Sequence, residues 1–145
     1  MDYYFSAASD EEALKAKDLP AGPMPGTEGY DTVEAKGVLA TALEELVAMS
    51  KGSSSLLVMA GTHPLWPEYP SNLEDYEPGS FLTRLPDNIR DELSDVEVTP
   101  ALATKWADEI FGYELAEAER VAKSIIQLAR GGRDRNRSIY WWSEM

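Results

Sequence analysis

The sequence contains no cysteine and only one histidine, His63. The lack of cysteine excludes disulfides, thiolate metal ligands and cysteine nucleophiles, and a lone histidine leaves too few ligands for a zinc site. No apolar run approaches the roughly 20 residues that cross a bilayer, and Asp2 stands where an export signal carries a base. We therefore expect a cytoplasmic protein with no metal, no cofactor and no membrane partner.

Motifs of the common catalytic sites are missing as well. There is no glycine-rich phosphate loop and no Gly-x-Ser-x-Gly elbow, and a catalytic triad would have to use His63. If the protein is an enzyme, His63 is the candidate general base; as a lone histidine in a proline-rich loop, it is more simply explained as a surface or hydrogen-bonded residue. No catalytic residue is assigned on this basis.

The chain has few bases, with 13 Lys and Arg against 26 Asp and Glu and a formal net charge of −13. Such a chain repels nucleic acids and anionic membranes. The excess of acidic residues either aids solubility or forms a surface that binds a basic protein partner. The bases are concentrated between Arg120 and Arg137, where six bases stand against one acid. This stretch either neutralises the acidic body or, through Arg133 and Arg135 with the rings of residues 140–142, contacts nucleic acid.

The residues that are present predict one α+β domain covering residues 1–145. The composition is globular, with 43% hydrophobic and 27% charged residues. The aromatic segments at both ends, residues 3–5 and 138–142, predict strands of one small mixed or antiparallel sheet. About four to five helices pack on one face of that sheet. The pattern places helices after Ser9 and over residues 39–50, 86–93, 100–110 and 114–130, and further strands over 30–36, 56–59 and 80–85.

Two helix starts and one helix end carry specific signals. Ser9 followed by Glu12 is typical of a capping box, and Thr99 before Pro100 combines an N-cap residue with proline in the first turn. Gly131 and Gly132 indicate the end of the last helix. In the final strand, alternation places Tyr140 and Trp142 on one face of the sheet and Trp141 on the other.

The segment of residues 61–80 is expected to be an irregular loop, because it holds four of the nine prolines. Aromatic residues are interleaved with these prolines, and they include Trp66, Tyr69 and Tyr76. Such rings either cover the core of the domain or form a binding surface. The candidate binding residues are therefore Trp66, Tyr69, Tyr76, Trp141, Arg133 and Arg135.

Short motifs resemble those of an uncharacterised group of small actinobacterial proteins. They are Tyr-Tyr-Phe at residues 3–5, Val-Glu-Ala-Lys-Gly at residues 33–37, and the ending Leu-Ala-Arg, Gly, Arg and Tyr-Trp-Trp. The layout is more distantly similar to the YfbM-like family of small α+β proteins. This resemblance implies one α+β domain and no catalytic residues, because that family supplies none.

Three functions remain open from the sequence. The first is a non-catalytic acidic protein-binding module, of an immunity, antitoxin-like or regulatory kind. The second is a small enzyme or ligand-binding domain that uses His63 and residues 61–80. The third is a nucleic-acid mimic, in which rows of acids imitate phosphates. The oligomeric state is left undetermined.

Overall fold

The computed structural model describes residues 1–20, 22–27, 29–52, 63–66, 80–110 and 112–144. In chain order these residues form five strands and five helices, and a single 3-10 turn, Lys15–Asp18, continues the first helix. The bounds are β1 Asp2–Ala7, α1 Asp10–Leu14, β2 Asp31–Glu34, α2 Ala40–Ser50, β3 His63–Trp66, β4 Phe81–Arg84, α3 Asp87–Ser94, α4 Pro100–Glu109, α5 Leu115–Asp134 and β5 Ser138–Ser143. This architecture confirms the α+β class.

All five strands belong to one antiparallel sheet, in the order β2-β1-β5-β4-β3. The two aromatic end strands, β1 and β5, are neighbours at its centre, and Tyr4 pairs with Trp141. The rings of these two residues stack with their centroids 6.1 Å apart. The expectation that both ends of the chain share one sheet is confirmed.

Both faces of the sheet are covered. Tyr4, Ile139 and Trp141 pack against helices α2 to α5, and we call this side the four-helix face. Tyr140 and Trp142 lie in a second cluster with residues of α1 and its 3-10 turn, and we call this side the α1 face. The alternation expected for residues 140–142 is confirmed. The expectation that every helix packs on one face is wrong for α1, because the opposite face carries rings that also need cover.

The capping signals act as the sequence indicates. The Ser9 side chain accepts a hydrogen bond from the Glu12 amide at 3.2 Å, and the Thr99 hydroxyl accepts one from the Leu102 amide at 3.2 Å. Each bond satisfies an amide that the helix leaves without a main-chain partner. These two helices therefore start where the sequence places them.

Helix α5 does not end at Gly131 and Gly132, and this corrects the expected boundary. A Cβ atom on Gly132 would lie 3.0 Å from the carbonyl oxygen of Arg137 and 3.1 Å from Cδ1 of Ile139. Gly132 therefore lets the helix pack closely against the following turn. The helix ends after Asp134, where Asn136 has a φ of 55°. Asn tolerates this left-handed conformation better than most residues.

Part of the 61–80 segment is regular, against expectation. Residues 63–66 form β3, which pairs with β4. A proline is tolerated at position 64 because β3 lies at the edge of the sheet. The strand expected over residues 56–59 and the candidates Tyr69 and Tyr76 lie outside the described residues.

Candidate functional site

Trp66 contacts a neighbouring ring on the α1 face. It is partly exposed and stacks on Trp142 with a centroid separation of 5.4 Å and an interplanar angle of 4°. Trp142 itself is 3% exposed. One candidate ring thus covers a buried one, which is the core-covering role that the sequence left open beside a binding role.

Trp141 lies in the core. Its side chain is buried on the four-helix face of the sheet. The ring meets Phe81 edge to face, and the indole N–H donates a hydrogen bond to Asp2 Oδ1 at 3.1 Å. A ring held in this way offers no free face to a ligand. The structure therefore gives Trp141 a packing role in the core.

The basic stretch mostly meets groups of the same chain. Arg133 pairs with Asp95 at 3.0 Å and Arg135 pairs with Asp31 at 2.9 Å. Arg130 donates to the main-chain carbonyls of Ser94 and Val96. These contacts favour the view that the bases neutralise the acidic body. Arg133 and Arg135 remain exposed at the surface, so a role for them in binding stays a prediction.

His63 lies opposite Arg84 in the backbone register of β3 and β4, and its side chain lies outside what the structure describes. Arg84 contacts Asp10 at 3.3 Å, and Asp10 also accepts a hydrogen bond from the Tyr140 hydroxyl at 2.7 Å. Burial, followed by the hydrogen bond to Asp10, raises the pKa of Tyr140. Asp10, Arg84 and Tyr140 satisfy one another, and a catalytic role for His63 stays a prediction.

Among the described residues, strand β2 forms the other edge of the sheet, and half of its main-chain polar groups have no strand beside them. The Ala35 amide donates to the Asp2 carbonyl at 2.9 Å. Hydrogen-bonding residues alternate along an antiparallel ladder, so Val33 also directs its main-chain groups towards β1. Thr32 and Glu34 direct theirs outwards. Within the described ranges, no hydrogen bond satisfies these outward groups.

A groove with a volume of about 390 Å³ follows this edge. Pro25 contributes one wall from the turn before β2, and α5 contributes the other. We call it the edge-strand groove, and its lining residues are Pro25, Thr32, Val33, Glu34, Lys36, Tyr113, Glu117, Arg120 and Ser124. Main-chain donors and acceptors, hydroxyl groups and charges of both signs therefore meet in one open cleft.

Four charged side chains, two acidic and two basic, line the edge-strand groove. Glu34, Lys36, Glu117 and Arg120 make no ion pair within 4.0 Å in the part of the chain that the structure describes. The Thr32 hydroxyl oxygen is buried and also lacks a hydrogen-bond partner there. Exposed charges without an ion pair are common on protein surfaces, whereas a buried hydroxyl without a hydrogen-bond partner is uncommon in a folded protein.

Tyr113 lies in the lining of the groove, where burial and nearby charges shift its pKa. Burial, and next the carboxylate of Glu117, raise the pKa of Tyr113 to about 12; Arg120 lowers it, and Asp2 and Glu34 raise it. The phenol is therefore neutral at physiological pH, and its oxygen can accept or donate a hydrogen bond. Glu117, Asp2 and Glu34 therefore oppose ionisation of this phenol, and Arg120 favours it.

Similarity to known proteins does not assign this groove. Comparison of the chain with models of protein families, with curated proteins and with solved structures finds no match. The resemblance to the YfbM-like family stays a prediction. Within the described ranges, no helix has the length and apolar character needed to cross a membrane, and no cluster of three or more His, Asp or Glu residues could hold a metal ion.

No residue of the edge-strand groove stands out in the sequence as a binding residue. One available signal was β2 itself, because in residues 31–34 only Val33 is apolar. Short, polar strands are typical of sheet edges. The pairing of β2 with α5 across the groove could not be found, since about 80 residues separate them.

Proposed function

We propose that this protein is a non-catalytic protein-binding module that adds an extended segment of a partner protein to the free edge of β2. One observation carries the proposal: the outward main-chain groups of Thr32 and Glu34 face an open groove. An extended peptide presents donors and acceptors at the same two-residue spacing. Strand addition of this kind is a recurrent mode of peptide recognition.

The main-chain hydrogen bonds supply only part of the binding free energy, and the side chains must supply the rest. Two N–H donors and two C=O acceptors give four hydrogen bonds, and at about 1 kcal/mol net for each bond they contribute about 4 kcal/mol. This energy corresponds to a dissociation constant of about 1 mM. Useful affinity therefore requires contacts with the side chains of the edge-strand groove. Because the main-chain hydrogen bonds alone bind so weakly, the short, polar strand β2 can remain without an added strand when its partner is absent.

The charge of the protein supports a basic partner. A net charge of −13 attracts positively charged surfaces and speeds their association. We further propose that the module acts in the bacterial cytoplasm, as an immunity-like, antitoxin-like or regulatory protein. Arg133 and Arg135 are held by acids of the same chain, which leaves the negative exterior as the dominant long-range feature.

The test uses peptides of roughly nine residues, the upper range of natural strand lengths, selected by the whole protein from a randomised display library. Glu34→Pro removes the outward amide and places a bulky ring at the edge. It spares the ladder with β1, because the Glu34 amide faces away from that strand. We expect selected peptides to lose at least about tenfold in affinity.

Glu34→Gln is the matched control, since it removes the charge and keeps the amide. Circular dichroism verifies that both variants fold. The proposal is contradicted if Glu34→Pro binds the peptides as tightly as the parent protein does, or if selection yields no peptide that binds β2.

A further inference from the structure

Within β2, an apolar side chain reaches the open edge of the sheet on one face only. On the four-helix face, Trp141 pairs with Tyr4 and Tyr4 pairs with Val33, so the three side chains form one row across the strands. Val33 ends this row at the edge-strand groove, where it is partly exposed and packs against the core. On the α1 face, β2 presents Thr32 and Glu34, which are polar. The two faces of the edge therefore differ in polarity.

The position opposite Val33 brings side chains close together. The main-chain groups of Val33 point towards β1, so no hydrogen bond would join Val33 to the residue opposite it on an added strand. In an antiparallel pair, the Cα atoms of two such residues lie only about 4.5 Å apart, closer than in a hydrogen-bonded pair. Every strand pair in the described part of the chain is antiparallel, and we take the added segment to be antiparallel as well. Because cross-strand neighbours share a face, the side chain opposite Val33 would point towards α5.

The groove offers this side chain apolar surface and no preferred charge. Tyr113 lines the same groove and, like Val33, is a partly exposed residue that packs against the core of the four-helix face. An aliphatic side chain beside Val33 would remove more of this apolar surface from water. The charged residues of the lining are two acids and two bases, so their sum favours neither a cation nor an anion.

Resting on the proposed strand addition, we propose that the bound segment carries an aliphatic residue, such as Val, Ile or Leu, opposite Val33. This residue extends the core of the four-helix face by one strand, and Val33 sets the preference for it. Complete burial of one methyl or methylene group raises affinity about fourfold. Replacement of Val by Ala in the segment removes two such groups. Because the groove is open to solvent, we expect this replacement to weaken binding about fivefold.

The experiment first identifies which residue of a selected peptide lies opposite Val33. The chain contains no cysteine, so Val33→Cys introduces a single thiol into the protein, and a cysteine is placed at each peptide position in turn. A disulfide requires Cα atoms about 4.4–6.8 Å apart, a distance that the opposite position satisfies. The peptide position that forms the disulfide is therefore the one opposite Val33. We expect the selected peptides to carry an aliphatic residue there.

Affinities are then measured with peptides that contain no cysteine. At the position identified in this way, Ala should weaken binding to the parent protein about fivefold. Val33→Thr keeps the shape of the side chain and adds a hydroxyl group. We expect it to weaken the aliphatic peptide about fivefold and the Ala peptide no more than about twofold. Val98→Thr is the matched control, because Val98 is also partly exposed and packs against the same core but lies outside the groove. Circular dichroism verifies that both variants fold.

The inference is overturned if the selected peptides carry a polar or charged residue opposite Val33, or if Ala at that position binds as tightly as the aliphatic residue. It is also overturned if Val98→Thr weakens binding as much as Val33→Thr does. In each of these cases, loss of binding in Glu34→Pro would still support strand addition. If no peptide position forms the disulfide, or if Glu34→Pro binds like the parent protein, the proposed function itself fails.

Discussion

Replacement of Gly22 by alanine is expected to destabilise the fold by about 2–4 kcal/mol. Gly22 has a φ of 70°, a conformation that costs a residue with a Cβ atom about 1 kcal/mol. The new methyl group would lie 2.6 Å from Nε1 and 2.9 Å from Cε2 of Trp142. Trp142 cannot easily yield, because it is buried and stacks on Trp66. Relief of such a contact in a packed core costs about 1–3 kcal/mol more.

Gly26→Ala is the control for the backbone contribution. Gly26 has a similar φ of 88°, but a Cβ atom there would meet nothing within 4 Å. Urea unfolding of both variants, followed by circular dichroism, gives their free energies of unfolding. The difference between them isolates the contact with Trp142. Equal losses in the two variants would refute the close packing of this segment, and with it the placement of the Pro25 wall of the groove.

Three further predictions concern stability. Glu44 is 4% exposed, and burial raises its pKa. The stability that its protonated form provides is therefore present below pH 4.5, the usual pKa of a glutamate, and is lost as the pH rises through the raised pKa. In urea titrations, Glu44→Gln should add about 1 kcal/mol to the free energy of unfolding at pH 7 and nothing near pH 4. Thr99→Ala removes the bond to the Leu102 amide and should cost about 1 kcal/mol, measured by urea titration, while Thr99→Ser should retain most of it. Arg135→Ala breaks an exposed pair with Asp31 and should change the melting temperature little, since such pairs contribute less than about 1 kcal/mol.

Local signals in the sequence were sufficient to place several elements. The caps at Ser9 and Thr99 depend on residues three positions apart, and both bonds are present. The alternation of Tyr140, Trp141 and Trp142 depends only on the two-residue period of a strand. These features need no knowledge of the rest of the chain.

Features that depend on distant contacts could not be predicted. Gly132 resembles a helix terminator in sequence, but it is a close-packing site against the turn that contains Arg137. The side of the sheet that α1 covers follows from the register of β1 and β5, which a sequence pattern does not specify. The edge-strand groove likewise requires the order of the strands and the position of α5 beside β2.

Amide hydrogen exchange along β2 tests the central claim most directly. In the free protein, the Val33 and Ala35 amides should exchange slowly because they face β1, and the Thr32 and Glu34 amides should exchange quickly. Addition of a selected peptide should slow exchange at Thr32 and Glu34. Unchanged exchange at both amides under saturating peptide, or slowing confined to another strand, would contradict strand addition at this edge.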